Sequence, residues 1–191
     1  MSAAHVRRPF LVNSTPDGSA FQVRRGLSLS FVKRSLALAL REKQWSPIHG
    51  KKEGSVSRCV IQLSARHRAE MIAAGEQECL STNPVSHALG REFTTLTAAA
   101  AAAVHRRVPA VESVELLKVL GDTPGQVWHM DSLYNAWAVT GCLLNGSPAT
   151  VLGDYEYHPW PFNVGPNGMP REWDRLKELG WEWEAGDLIF F

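Results

Sequence analysis

Apolar residues recur along this chain with two different periods. Between Leu27 and Leu40, the residues Leu29, Val32, Leu36 and Leu40 follow each other at three- and four-residue steps, the spacing of one helix face. Val56–Leu63 is rich in β-branched residues and predicts a strand, and helix formers fill 65–80 with one interruption at Gly75. The stretch 92–107 predicts the most regular helix. Its alanine run Ala98–Ala103 has the highest helix propensity of any residue type, and Phe93, Leu96, Ala100 and Val104 form an apolar stripe. Arg106 and Arg107 suit the negative end of the helix dipole, and Pro109 stops the helix.

Beyond residue 111 the period shortens to two. Alternation runs through 114–120, 127–131, 137–144 and 181–191, broken by Thr123-Pro124-Gly125, Asn145-Gly146-Ser147-Pro148 and Gly186-Asp187. One helix is expected among these strands, opened by Pro170, carrying Trp173, Leu176 and Leu179 on one side and closed by Gly180. Helices first and short turn-separated strands afterwards predict an α+β fold in which the strands form an antiparallel sandwich or barrel.

At 191 residues the chain is long enough for one domain with its own core. Hydrophobic residues make up 45% and charged residues 20%, which excludes an intrinsically disordered chain. The longest apolar run, Ala98–Val104, is too short to span a bilayer, so no transmembrane segment is expected. Three cysteines, Cys59, Cys79 and Cys142, are odd in number and lack metal-ligand spacing, which points to a reducing compartment. The net charge of +1 hides a split: residues 1–111 carry 16 Lys/Arg against 7 Asp/Glu, and residues 112–191 carry 4 against 12. With basic residues confined to one part, no nucleic-acid partner is expected. Residues 1–50 are basic, serine-containing and poor in acids. They read either as an organelle-targeting region or as the first helix of the domain, with a cytoplasmic location otherwise expected. The remainder, 51–191, reads as one domain with its strand-rich portion at 111–191.

Candidate chemistry concentrates at His129-Met130-Asp131. On a strand, residues i and i+2 project to the same face, so an imidazole nitrogen and a carboxylate oxygen would stand side by side. Such a pair suits Fe(II), Mn(II) or Zn(II), and two histidines with one carboxylate form the facial triad of non-haem iron oxygenases.

The run Thr123-Pro-Gly-Gln-Val-Trp-His-Met-Asp-Ser132, followed by the strand 137–144, the turn 145–150 and Glu184-Ala-Gly-Asp-Leu-Ile-Phe-Phe191, resembles the Fe(II)/2-oxoglutarate-dependent dioxygenase superfamily, particularly its phytanoyl-CoA-hydroxylase-like branch. The resemblance covers about residues 111–191. It implies N-terminal helices packed on a double-stranded β-helix, a jelly-roll or cupin-like barrel, and an enzyme that hydroxylates a C–H bond while decarboxylating 2-oxoglutarate. By resemblance, His129 and Asp131 are metal ligands, and Gln126, Asn135 and Thr150 line the cosubstrate pocket. The resemblance also implies that Trp128, which otherwise reads as a core residue, and His158, which otherwise reads as an ordinary loop residue, face a small-molecule or lipid-like substrate. The family's distal histidine and its basic anchor for 2-oxoglutarate follow the Gly-Asp-Leu strand, and this chain stops at Phe191. A C-terminally incomplete barrel is therefore expected, with 188–191 as an open edge and low activity, His158 being the one later histidine able to complete the ligand set. Two other readings stay open: a cupin-like protein binding another metal, and a non-catalytic jelly-roll remnant serving as an interaction module. The substrate itself and the oligomeric state are not legible.

Overall fold

The computed structural model describes residues 8–16, 18–47, 56–75, 77–109, 111–119, 137–145, 152–154 and 177–191. In chain order it contains β1 (Phe10–Ser14), β2 (Phe21–Arg24), α1 (Leu29–Ala39), β3 (Ser46–Pro47), β4 (Val56–Leu63) and α2 (Ala65–Ala73). A single 3-10 turn at Gln77–Cys79 leads to α3 (Pro84–Ala103), then β5 (Ser113–Val119), β6 (Val139–Gly141), β7 (Leu152–Asp154), β8 (Lys177–Leu179) and β9 (Leu188–Phe190). The fold is mixed α+β, and all its strand pairs are antiparallel. One sheet runs β1-β2-β9-β6, a second runs β3-β4-β5, and β7 pairs with β8. Among the described residues no sheet closes on itself.

Both larger sheets share one hydrophobic core. Phe21, Val23, Leu188 and Phe190 come to it from β2 and β9, and Cys59, Ile61, Val114 and Leu116 from β4 and β5. Helices α1 and α3 add Phe31, Val32, Leu38, Leu89, Ala100 and Ala101. These strand positions alternate, as residues i and i+2 share a face, while Ile189 on the other side of β9 is buried with Ala20 against Trp181 and Trp183.

Several elements depart from the sequence expectation. Helix α3 begins at Pro84 because Asn83 caps it, its side chain accepting from the Val85 amide at 3.0 Å, with Pro84 in the first turn where no donor is needed. It ends at Ala103, and His105 takes φ 59°, so Arg106 and Arg107 lie past the helix. Arg106 instead stands over the Phe21 ring at 5.7 Å. The helix expected from Pro170 to Gly180 is contradicted at 177–179, which form β8 against β7; residues 170–176 lie outside the described part. Pairing with a distant segment overrides the helix propensity of Lys-Glu-Leu. In α1 the buried positions are Phe31, Val32, Ser35 and Leu38, while Leu29 and Leu40 are exposed. Phe31, the largest side chain of the helix, sets the inward direction by stacking against Phe93 at 6.1 Å. Finally, 188–191 is not an open edge: β9 lies between β2 and β6, hydrogen-bonded on both sides.

A buried carboxylate ties α1 to the start of α3. Glu42 Oε2 accepts the hydroxyls of Ser81 and Ser86, each at 2.8 Å, and Oε1 accepts the amides of Lys43 at 2.9 Å and Gln44 at 3.2 Å. Burial pushes its pKa up, but the four hydrogen bonds outweigh burial and hold it below the ordinary 4.5. A depressed folded pKa means that the stabilisation is complete above the ordinary value and is lost as the pH falls through the folded value. Ser86→Ala is expected to cost about 1–2 kcal/mol at neutral pH. It should also flatten the loss of stability on acidification, because the Glu42 pKa then moves back towards its unfolded value. Urea denaturation of both proteins at neutral pH and at about pH 3.5 checks this; equal acid losses would remove Glu42 from the account.

Candidate functional site

The residues singled out from the sequence, Gln126, Trp128, His129, Asp131, Asn135, Thr150 and His158, all lie outside the described residues. What the structure describes is the sheet on which the flanking segments converge. The strand expected at 137–144 is regular only at Val139–Gly141, but its ladder with the C-terminal segment is longer. Val139, Thr140 and Gly141 pair with Phe190, Ile189 and Leu188. Ala138 and Phe191 exchange backbone hydrogen bonds of 2.7 and 3.0 Å at one end. At the other, the Cys142 amide donates to the Asp187 carbonyl at 2.9 Å and the Gly186 amide to the Cys142 carbonyl at 2.8 Å.

Gly186 is required at its position. Its φ is 99°, and a Cβ there would sit 3.0 Å from the Leu27 carbonyl oxygen. That turn delivers Asp187 into the sheet as a carboxylate only 1% exposed. One of its oxygens accepts the Arg25 amide at 3.1 Å. The other accepts the Glu184 amide at 3.1 Å, Arg24 Nε at 3.2 Å and Gln22 Nε2 at 3.3 Å. Gln22, itself fully buried, also donates to the Glu182 carbonyl at 2.8 Å and accepts Asn13 Nδ2 at 2.7 Å. Four donors from β2, the residue after it and the turn before β9 converge on this one carboxylate. Its role is to tie β2 to the turn before β9.

Sequence reasoning used Gly186-Asp187-Leu188 as a family signature and missed this tie. The available signal was a lone acid entering the apolar run Leu188–Phe191, with a lone amide, Gln22, between Phe21 and Val23. Cys142 is a buried small residue, as expected, and burial raises its thiol pKa. Cys59 is pushed up to about 12, chiefly by burial and then by the charge of Glu42, so neither thiol is a nucleophile at neutral pH. Of the histidines expected to be solvated, His87 is half-buried with Nδ1 2.9 Å from the Ile61 carbonyl, and His67 lies between Ser64 and Glu112. Among the described residues, no group of three or more His, Cys, Asp or Glu side chains could hold a metal. Comparison with protein-family models, with curated proteins and with solved structures finds no match to this chain.

Proposed function

We propose that this chain is an Fe(II)/2-oxoglutarate oxygenase-like protein, with a double-stranded β-helix built around the sheet that contains β6 and β9. The observation that carries the reading is the adjacency of two segments distant in sequence. The stretches 137–144 and 184–191, which hold two of the four pieces of the resemblance, lie side by side with backbone hydrogen bonds from Ala138–Phe191 to Cys142–Gly186. Directly upstream of 137–144 in the chain stands His129-Met130-Asp131. In this reading His129 and Asp131 hold the metal, and His158 either completes the ligand set or meets a small-molecule or lipid-like substrate. Gln126, Asn135 and Thr150 line the cosubstrate pocket, and Trp128 lies against the substrate. Fe(II), 2-oxoglutarate and dioxygen, when bound, would supply the chemistry that hydroxylates a C–H bond, one oxygen atom going to the product and the other to the succinate left by decarboxylation. The chain's own contribution is a neutral imidazole and a carboxylate on one strand face, so metal affinity falls as His129 becomes protonated.

Two ligands bind a labile ion weakly, so the expected effect is modest and specific. Mn(II) in the millimolar range should raise the midpoint of thermal unfolding; saturation tenfold over Kd contributes about 1.4 kcal/mol. His129→Ala and Asp131→Ala should each abolish the shift, and His158→Ala should reduce it if that histidine completes the set. A shift equal in wild type and His129→Ala, or no shift in wild type, would overturn the reading.

A further inference from the structure

The acid-poor, basic character of the N-terminal stretch finds no use in the oxygenase reading, and the structure shows what it builds. From Gly18 through Arg41 there is no Asp or Glu, and five Lys/Arg: Arg24, Arg25, Lys33, Arg34 and Arg41. The next residue, Glu42, is acidic, but its carboxylate is turned inward and held by four donors. On the side of α1 away from the core stand Leu29 and Leu40, 69% and 88% exposed, the two most exposed large hydrophobic side chains among the described residues. Eleven residues apart, they are separated by about 16 Å along the axis. Exposed Lys33 lies between them, Leu36 is half-buried against the core, and Arg41 follows Leu40. Arg34 is neutralised by Glu92 of α3 at 2.8 Å, whereas Lys33 and Arg41 have no acidic partner among the described residues.

We infer that this face of α1 docks on an anionic lipid surface, with Leu29 and Leu40 entering the interface and Lys33 and Arg41 meeting the headgroups. Helices that lie in a membrane interface seat leucines at the acyl boundary while Lys and Arg meet anionic headgroups. With no acid from Gly18 through Arg41 and with Lys33 and Arg41 lacking an acidic partner among the described residues, the face is complementary in charge to an anionic headgroup layer. It shows no exposed aromatic side chain for stacking a nucleic-acid base, because Phe31, the one aromatic of α1, is buried. Two leucines and two cations give reversible attachment, sensitive to the fraction of acidic lipid and to salt.

Vesicle co-sedimentation of the full chain tests this, with phosphatidylcholine vesicles compared with vesicles containing phosphatidylserine. Binding should depend on phosphatidylserine and weaken as salt is raised. Lys33→Glu with Arg41→Glu, and Leu29→Ser with Leu40→Ser, should each lower the partition at least about tenfold. Val85→Ser, an exposed apolar position on α3, should leave it unchanged, and unaltered thermal melts show that each variant is folded. Equal binding to both vesicle types would overturn the inference, as would retention by either double variant. A concentration-dependent dimer abolished by the leucine substitutions would overturn it too, and would give the face to a second copy of the chain.

Discussion

Asp187→Ala is expected to lower the stability by about 3 kcal/mol, the scale for removing one partner of a buried ion pair. The loss is not that of one contact. Arg24 Nε, Gln22 Nε2 and the amides of Arg25 and Glu184 all lose their acceptor at once, and the two amides cannot turn elsewhere. Asp187→Asn keeps the shape and one carbonyl oxygen but not the charge, so it should fall between wild type and alanine. Urea denaturation measures both. Losses below about 1 kcal/mol for alanine would mean that water replaces the carboxylate freely, and that β2 and the turn before β9 do not depend on it.

Removal of residues 1–41 should abolish cooperative folding. The deletion takes away β1, β2 and α1, and with them Phe21, Val23, Phe31, Val32 and Leu38 from the shared core. It also strips β9 of one hydrogen-bonded neighbour. A milder version is Phe21→Ala. That ring is fully buried and stacked on Phe190 at 4.6 Å, and its loss should cost about 3–5 kcal/mol. Circular dichroism melts decide both cases. A sharp transition retained by the truncated chain would show that residues 42–191 fold without the N-terminal elements.

What could be read from the sequence was the local part of the fold. Val56–Leu63 is β4 to the residue, and 114–120 differs from β5 by one position at each end, because β-branched residues in the first and alternation in the second both favour the pleated conformation in which the two strands pair. The helix at 27–40 was legible, but its direction was not. Leu29, Val32, Leu36 and Leu40 make a regular stripe, yet only Val32 of the four is buried. The inward side was set by the large ring of Phe31 and by Ser35, small enough to be covered. Strands β1 and β2 left no periodic signal, being short and defined by partners rather than by composition. Lys177–Leu179 carries helix formers and becomes a strand for the same reason. The polar tie at Asp187 was hidden because its four partners are scattered from Gln22 to Glu184. His129 and Asp131 were legible only as a tripeptide in context, and they lie outside the described residues.

The pairing of β2 with β9 has a consequence for how the chain acquires its structure during synthesis. Gln22 reaches Asp187 across 165 positions, so β9 leaves the ribosome long after the strand it pairs with. At roughly 5–20 residues per second, β2 waits on the order of ten seconds or more for its partner. Meanwhile Phe21, Val23 and the inner face of α1 have no completed surface to pack on. The nascent chain must therefore carry the apolar residues of β2 without their partner strand until β9 emerges, a state that invites chaperone capture. Slower elongation between the codons of β2 and β9 lengthens that exposure without altering a single contact of the finished protein.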